Sequence, residues 1–327
     1  MDSVNQNRET ETEEEDTKKS LPSDDLSKYI NTISTLPKTN CFETTLYNYQ
    51  GFWYQHDYVL GKMLAEQNFK PQPSDIILCS FPKTGTTWLK ALAFAIVTRS
   101  HSTAEFPHQC VPVIKVGDHP DPRTPLLASH SSYSSLPPSI ADSGCKIVYI
   151  CRDPKDVFVS LWYFLKKFPY VNPEKYPSLE QGFELFCQGL VPAGPFWDHV
   201  LEYWKASLEF PERVLFLVYE DMKKDSVSVV KKLAEFMGYP FSMEEEEQDL
   251  VQKIVDSCSF EALSNLDVTK NGEQWPNSQF TVSNSSFFRK GEVGDWRNHL
   301  TEEMANRLDQ ITDEKLGASG FTYFSQQ

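Results

Sequence analysis

The sequence predicts a single α/β domain in which a central parallel sheet is flanked by helices on both faces. Two segments, Asp75–Val97 and Lys146–Trp162, each pass from a short aliphatic run through a turn into a helix-forming stretch. A third aliphatic run, Val214–Tyr219, fits another strand. Continuous aliphatic runs are typical of strands buried on both faces, as in a parallel sheet.

The remaining elements follow from periodicity and from the positions of proline and glycine. Asp156 precedes an apolar run, and we expect it to be the N-cap of the second helix. The segment Arg99–Leu127 contains several prolines and is predicted to be a long loop. Further helices are predicted over residues 26–36, 56–69, 178–190, 195–208, 226–237 and 244–257.

Length and composition are those of a globular chain. The 327 residues are 40% apolar and 13% aromatic, enough to bury a full core. No apolar run is long enough to span a bilayer, and the N-terminus lacks a signal-peptide pattern, so no membrane partner is expected. The seven irregularly spaced cysteines predict reduced thiols in a cytoplasmic protein, with neither disulfides nor a zinc site.

The charge distribution separates a tail from a folded domain. A formal net charge of −15 argues against nucleic acid as a partner. Residues 1–28 carry nine acidic and four basic side chains and few apolar ones, which predicts a disordered acidic tail. Residues 29–327 are then expected to form the single domain.

The stretch Ser80–Trp88 is the strongest candidate for a ligand site. It lies between a predicted strand and a predicted helix, where backbone N–H groups and a positive helix terminus can bind an anion. Gly85 permits a tight turn, Lys83 supplies a mobile charge, and the threonines at 84, 86 and 87 supply hydroxyl groups. From K-x-G-T-T alone, a turn without a ligand remains an alternative, because the glycine pattern of ordinary P-loop nucleotidases is missing.

The full string P-K-T-G-T-T-W resembles the loop of soluble PAPS-dependent sulfotransferases, and the chain is most similar to the plant enzymes. PAPS is 3′-phosphoadenosine 5′-phosphosulfate. The resemblance implies a P-loop-kinase-like fold over about residues 35–325. It also implies that this loop holds the 5′-phosphate and the sulfonate, with Lys83 at the bridging oxygen. The ligands implied are Lys83, Thr84, Gly85, Thr86, Thr87 and Trp88.

Two further motifs resemble the elements of that family which bind the 3′-phosphate. C-R-D-P-K-D-x-x-x-S places Arg152 at a strand end and Ser160 on the following helix. F-R-K-G-x-x-G-D-W supplies Arg289, Lys290 and Gly291. Arginine suits the role because its guanidinium binds phosphate in a bidentate manner. From the residues alone, an ion-pair arginine and a surface turn remain alternatives.

The resemblance also implies residues around the adenine and the acceptor. Tyr219 and Cys258 are expected near the base, which Phe260 and Trp88 would hold by stacking. A core role for Tyr219 remains an alternative. The segment Gln50–Trp53 is expected near an aromatic acceptor pocket, and the loop around Pro107 and His108 is expected to help close that pocket.

A histidine is expected as the catalytic base, because its pKa suits proton abstraction near neutrality. The family position is His130, which is followed by L-P-P-S-I as in the family. Serines at 129, 131 and 132 replace the usual threonine, apolar residue and proline. His108 is the second candidate, and His199 is expected to be a helix-face residue.

The sequence thus predicts a sulfotransferase that uses PAPS, releases PAP and needs no metal. The acceptor is expected to be a small hydroxylated metabolite such as a flavonoid, a steroid or a hormone. Two alternatives are a nucleotide kinase, which lacks its Walker-type glycines here, and a PAPS-binding or PAP-binding protein with little activity. The family's dimer motif is only partly present at Arg297–Glu302, so a monomer is expected.

Overall fold

The computed structural model describes residues 23–100, 105–114, 124–276, 278 and 280–321, with side chains from residue 26 onward. The strands are β1 (Lys38–Cys41), β2 (Thr44–Tyr49), β3 (Phe52–Gln55), β4 (Ile76–Ser80), β5 (Leu126–Ser129), β6 (Lys146–Cys151), β7 (Val214–Val218), β8 (Glu273–Gln274) and β9 (Val282–Ser283). The main sheet has the order β5-β4-β6-β7, and all of its pairings are parallel. The predicted central parallel sheet is therefore confirmed.

Helices connect and cover these strands. In chain order they are α1 (Ser23–Thr35), α2 (His56–Asn68), α3 (Thr86–Thr98), α4 (Pro107–Cys110), α5 (Pro138–Ser143), α6 (Pro154–Leu165), α7 (Leu179–Cys187), α8 (Phe196–Glu209), α9 (Tyr219–Lys224), α10 (Ser226–Met237), α11 (Met243–Glu247), α12 (Leu250–Ser257), α13 (Phe260–Asn265), α14 (Asp267–Asn271) and α15 (Glu302–Leu316). Within the ranges described, no helix has both the length and the apolar character needed to cross a bilayer.

Both faces of the main sheet are buried, as the aliphatic runs predict. Side chains of successive strand residues point to opposite faces, and here they enter two different hydrophobic clusters. Ile77 and Cys79 pack into one cluster with residues of α2, α6, α8 and α15. Ile76 and Leu78 pack into the other cluster with residues of α3, α10 and α12. The helices therefore flank the sheet on both faces.

The aromatic segment before β4 forms a second sheet. β1, β2 and β3 pair in antiparallel order, with Tyr47 opposite Tyr54 and Tyr49 opposite Phe52. Gln50 and Gly51 make the turn with φ of 54° and 89°, where glycine is favoured. This hairpin was not predicted as strands, because its aromatic residues alternate only weakly with polar ones.

Three boundaries differ from the predictions. α1 begins at Ser23, within residues 1–28 that were predicted to form the acidic tail, and residues 1–22 lie outside the described chain. The predicted long loop, Arg99–Leu127, contains α4 and the first two residues of the edge strand β5. Residues 101–104 and 115–123 of that loop lie outside the described residues. The predicted helix 244–257 is two helices, with Asp249 between them at φ 57°.

The N-cap of α6 also differs from the prediction. The side chain of Asp153 accepts a hydrogen bond from the backbone N–H of Lys155, and Asp153 is the N-cap. Asp156 lies in the first turn and is fully buried. Pro154 at the first helical position explains the shift, because proline is favoured at that position and places the cap one residue earlier.

The C-terminal helix α15 is joined to α8 by a buried side-chain hydrogen bond. The indole N–H of Trp197 donates to the hydroxyl of Thr312 at 2.9 Å, and both residues are at most 3% exposed. Thr312 also donates to the carbonyl of Leu308 at 2.7 Å. Replacing the hydroxyl with a methyl group would leave a buried indole N–H without an acceptor.

We predict that Thr312→Val lowers the free energy of unfolding by about 1–3 kcal/mol, the cost of an unsatisfied buried donor. Thr312→Ser is the matched control. It keeps the hydroxyl, removes only one methyl group and should cost about 1 kcal/mol or less. Urea unfolding followed by fluorescence measures both changes. A loss for Thr312→Val no greater than that for Thr312→Ser would contradict the proposed contribution of this bond.

Candidate active site

The four parallel strands end at one edge of the sheet, and a predicted site residue follows each of them. His130 follows β5, the loop containing Lys83 follows β4, Arg152 follows β6 and Tyr219 follows β7. Ligands of open parallel sheets gather at the carboxyl edge of the strands. The strand order brings together residues that are up to 136 positions apart in the sequence.

These ends surround a cavity of about 1370 Å³. Every predicted site residue except Thr84 lines it: Lys83, Gly85, Thr86, Thr87, Trp88, His130, Arg152, Ser160, Tyr219, Cys258, Phe260, Arg289, Lys290 and Gly291. The second candidate base, His108, lines it as well. The three predicted anion-binding motifs therefore converge on one space.

The loop after β4 is tightly wound against its neighbours. Lys83 and Gly85 have φ of 73° and 115°. A Cβ added to Gly85 would lie 2.8 Å from the ring of Tyr219 and 2.9 Å from the side chain of Ile150. Only glycine fits this position, because both the backbone conformation and the available space exclude a side chain.

Gly85 is also the N-cap of α3, and no side chain caps that end. The first N–H groups of a helix lack intrahelical partners, and the helix dipole makes this end positive. The uncapped end of α3 lines the cavity beside Lys83. An anionic ligand fits here, since it can accept those hydrogen bonds.

The threonine hydroxyls of the loop differ in their surroundings. The Thr84 hydroxyl is fully buried within hydrogen-bond distance of the carbonyls of Phe81 (2.8 Å) and Ile150 (2.9 Å). The hydroxyl therefore fixes the loop to β6, and the predicted contact of Thr84 with the 5′-phosphate, which included its backbone N–H, stays a prediction. The Thr86 hydroxyl lies 2.7 Å from that of Ser80.

The half-buried side chain of Lys83 lies among other cations. Its ammonium group lies 4.0 Å from the centre of the Phe164 ring and 5.5 Å from that of Phe287. Burial lowers the pKa of Lys83 to about 7, and the charges of Lys167, Arg152 and Arg289 act in the same direction. A cluster of cations around one cavity has the electrostatics of a site for a multiply charged anion.

Arg152 is held in place by a buried carboxylate. Its Nη2 lies 3.2 Å from Oδ2 of Asp156 and donates to the carbonyl of Glu292 at 2.5 Å. Asp156 in turn accepts hydrogen bonds from the backbone N–H groups of Gly294 (2.7 Å) and Trp296 (3.0 Å). One carboxylate therefore joins the second motif to the third. The Nε atom of Arg152 is buried without a partner in the described chain.

The third motif is fixed at two further points. Arg289 donates from Nη1 to Asp295 at 2.5 Å, while its buried Nε has no partner among the described residues. Gly291 has φ 67°, and a Cβ there would lie 2.3 Å from the Phe260 ring. The hydroxyl of Tyr219 donates to the carbonyl of Gly291 at 3.1 Å. Tyr219 is therefore a structural contact of this loop as well as a residue lining the cavity.

The aromatic residues predicted around the base lie in the same part of the cavity. The rings of Trp88 and Tyr219 meet edge to face, with centroids 5.5 Å apart. Phe260 is 36% exposed, which leaves much of its ring free to contact a ligand. Cys258, which precedes Phe260 by two residues in the sequence, is buried and lines the same cavity. This arrangement is compatible with the predicted stacking of a purine.

His130 has the geometry of a general base. Its Nδ1 lies 2.7 Å from the carbonyl oxygen of Ser80, and a carbonyl can only accept. Nδ1 therefore carries the proton in the neutral ring, which leaves the lone pair on Nε2. The backbone N–H of His130 donates to the hydroxyl of Tyr58 at 3.0 Å, which holds the main chain in place. Within the described chain, Nε2 has no hydrogen-bond partner.

The pKa of His130 is lowered to about 4, chiefly by burial. The hydrogen bond to Ser80 acts in the opposite direction, and the charges of Lys90 and Lys83 lower the pKa further. The imidazole is consequently neutral at physiological pH and able to accept a proton. Phosphate and sulfonate charges in the cavity would raise this pKa, because they stabilise the imidazolium.

His108 has both ring nitrogens occupied. Nε2 lies 2.9 Å from the hydroxyl of Thr87, and Nδ1 lies 3.2 Å from the ammonium group of Lys90. Burial lowers the pKa of Lys90 to about 7. When Lys90 carries its proton, the ammonium group can only donate, so Nδ1 accepts and Nε2–H donates to Thr87. The hydroxyl hydrogen of Thr87 is then available to a ligand. His108 therefore orients Thr87 and is a poorer base candidate than His130.

The cavity also contains residues that the sequence did not point to. Tyr54, Gln55, Tyr58 and Lys62 line it, whereas the expected Gln50–Trp53 do not. Gln50 instead donates to Glu66 at 3.1 Å. Phe164 lies one helical turn after Ser160, and Lys62 lies one turn after Tyr58. The i, i+4 spacing from Ser160, a predicted site residue, is the signal that could have identified Phe164.

We predict that the His130 ring stays neutral, with the proton on Nδ1, down to about pH 5, since its lowered pKa lies near 4. Nitrogen-15 NMR of the free protein measures both the tautomer and the titration, and His130→Gln assigns the signal. A titration midpoint of the His130 ring near pH 6.5, or a neutral ring with its proton on Nε2, would contradict this description.

Comparisons with known proteins agree with this geometry. Residues 73–320 match the sulfotransferase domain family. The chain is 47% identical to a flavonol 3-sulfotransferase of Flaveria bidentis, over 88% of this chain and 97% of the relative. It is 44% identical to cytosolic sulfotransferase 16 of Arabidopsis thaliana, over 90% of this chain and 91% of the relative.

A solved structure supports the same assignment. The crystal structure of mouse sulfotransferase SULT7A1 complexed with PAP is 28% identical in sequence, with a TM-score of 0.67. The superposition covers 84% of this chain and 95% of the mouse chain. The fold, the family match over most of the chain and the identity to plant enzymes all agree. The protein belongs to the sulfotransferase family.

Proposed function

We propose that the protein transfers the sulfonate group of PAPS to a hydroxyl of a small acceptor and releases PAP. One observation carries the proposal: three cationic motifs and the free Nε2 of His130 line the same cavity. The buried, unpartnered Nε atoms of Arg152 and Arg289 and the uncapped end of α3 fit a ligand with two phosphate groups. The mouse relative holds PAP, which has this chemistry.

In this proposal, the loop after β4 would hold the 5′-phosphate through Lys83 and the N–H groups at the start of α3. The ligands of the 3′-phosphate would be Arg152, Ser160, Arg289, Lys290 and Gly291. The residues beside the adenine would be Trp88, Tyr219, Cys258 and Phe260. Thr84 contributes by fixing the loop, because its hydroxyl is directed into the protein.

The chemistry of the chain's own groups then follows. PAPS, when bound, supplies a sulfonate group activated by a phosphate leaving group. Nε2 of His130 accepts the proton of the acceptor hydroxyl, while the bond from Nδ1–H to Ser80 stabilises the imidazolium. Lys83 neutralises the charge that develops on the leaving oxygen. The aromatic walls exclude water, which strengthens these electrostatic interactions.

An aromatic acceptor fits the other part of the cavity. Tyr54 and Tyr58 stack with ring centroids 5.1 Å apart, and Phe164, Phe168 and Phe280 line the same space. Such walls bind flat, apolar molecules with a few polar groups. We also propose that the enzyme works in the cytoplasm, because relatives carry the name cytosolic and its seven cysteines are free thiols.

The alternative of a PAP-binding protein without turnover finds no support in the described site. His130 is oriented by Ser80 and Tyr58, so the serines that replace the family's apolar residue and proline leave the imidazole fixed. Ser131 is itself anchored, since its carbonyl accepts from the hydroxyl of Tyr203 at 2.8 Å.

The test is incubation with PAPS carrying radiolabelled sulfur and a panel of hydroxylated aromatic compounds. We expect label transfer by the wild-type protein and a loss of about 10²–10⁴-fold in turnover for His130→Ala, with PAP affinity within about threefold. Arg152→Ala should weaken PAP binding about tenfold or more, because it removes a charge-assisted contact. His56→Ala, an exposed histidine outside the cavity, is the matched control. PAP binding without transfer to any acceptor would favour the inactive alternative.

We further predict that PAP binding takes up close to one proton at about pH 8. Lys83 has a lowered pKa of about 7 in the free protein and is mostly neutral above it. The phosphate charge raises that pKa, so the complex holds more protons than the free protein, and affinity falls as the pH rises above 7. Calorimetric titration in two buffers of different ionisation enthalpy measures the uptake. Lys83→Met should reduce the uptake, with Lys90, which lines the same cavity and also has a pKa lowered to about 7, accounting for any remainder. Equal uptake by both proteins would contradict the assignment.

A further inference from the structure

A buried lysine outside the donor site lies next to His130. Lys62 is on α2 and is 8% exposed, yet it lines the cavity. Its ammonium group donates to the hydroxyl of Ser131 at 2.9 Å and to the carbonyl of Ser135 at 2.6 Å. It also lies 5.1 Å from the centre of the Tyr54 ring. None of the three predicted motifs includes this residue.

The charge of Lys62 has no counterion in the described chain. No described carboxylate lies within 4.0 Å of the ammonium group, and the two acidic side chains in its vicinity have other partners. Glu66 accepts from the hydroxyl of Tyr49 at 2.8 Å, and Glu202 accepts from the backbone N–H of Ser134 at 2.9 Å. Burial accordingly lowers the pKa of Lys62 to about 8, which still leaves it largely charged at neutral pH.

An ammonium group has three donors, and the described protein atoms accept from two of them. Burying a charge without a partner is unfavourable, so such a group in a binding cavity fits a ligand that supplies the missing acceptor. The place of Lys62 on α2 sets its position relative to His130. Tyr58, one helical turn earlier, accepts from the backbone N–H of His130, and Ser131 follows His130 directly.

We propose that Lys62 is a specificity residue of the acceptor site that binds a second oxygen of the acceptor, most strongly one with a negative charge. The proposal rests on the sulfotransferase function proposed above and narrows its substrate class. The preferred acceptor is a flat aromatic compound that has one hydroxyl at His130 and another oxygen, such as a carboxylate, an ionised phenol or a conjugated carbonyl, at Lys62. The ring system of the acceptor then lies with the tyrosine pair, Tyr54 and Tyr58, on one side and the opposite wall of the cavity on the other.

Matched acceptors test this directly. The compounds 2-naphthol, methyl 6-hydroxy-2-naphthoate and 6-hydroxy-2-naphthoate share the ring and the hydroxyl. They differ in having no second oxygen, a neutral carbonyl or a carboxylate. For the wild-type enzyme we expect kcat/KM for the carboxylate to exceed that for 2-naphthol by about tenfold or more, with the ester between them. The ester arm separates a requirement for charge from a requirement for any accepting oxygen.

The variants Lys62→Met and Lys62→Gln should reduce this preference to about threefold or less, while kcat/KM for 2-naphthol changes by less than about threefold. Lys62→Arg keeps the charge and should keep part of the preference. PAP affinity close to that of the wild type shows that each variant is folded. An unchanged preference in Lys62→Met, or an equal loss on all three acceptors, would overturn the proposal, since the lysine would then have only a structural role.

Failure of the inference and failure of the proposed function give different results. Binding of the three naphthalene compounds to the PAP-loaded protein is followed by their own fluorescence and needs no turnover. Discrimination that depends on Lys62, found in binding but without sulfonation, would support the role of Lys62 and reject the proposed reaction. Sulfonation with no discrimination that depends on Lys62 would reject the inference alone.

Discussion

Buried positive charge at the carboxyl edge of the sheet is the constraint on which the site depends. The chain has a formal net charge of −15, yet Lys83, Arg152 and Arg289 line one cavity. The lowered pKa of Lys83 reflects its burial first and the neighbouring positive charges second. The fold supports this arrangement with few carboxylates, chiefly Asp156 and Asp295, which leaves the cations available to a ligand with more than one negative charge.

Asp156 shows how the site is assembled from distant segments. It contacts the guanidinium of Arg152 and accepts from the backbone of the loop at Gly294 and Trp296. This one buried carboxylate sets the position of two motifs that are far apart in sequence. Since it also lies in the first turn of α6, its charge is favoured by the helix dipole. The position of this loop is therefore coupled to the orientation of Arg152.

Hydrogen bonds also fix the side chains around His130. His130, His108 and Lys62 each make hydrogen bonds that define which atoms remain for a ligand. Ser80 fixes the tautomer of His130, the ammonium form of Lys90 fixes that of neutral His108, and Ser131 and Ser135 use two donors of Lys62. What remains is one acceptor atom on His130, one hydroxyl proton on Thr87 and one donor on Lys62. The described protein groups thus prescribe complementary groups on the ligands.

The sequence by itself determined the sheet class, the main helices and the positions of the three motifs predicted to bind anions, because aliphatic runs, glycine positions and motif spacing are local properties. It did not determine the edge strand β5, the hairpin β2–β3, the cap at Asp153 or the role of Thr84, since each depends on partners elsewhere in the chain. Nothing in the sequence indicated the role of Lys62, because a lysine on a helix is ordinarily exposed. Only the tertiary structure brought it beside Ser131 and His130, where burial and the lack of a counterion make it a candidate for acceptor recognition.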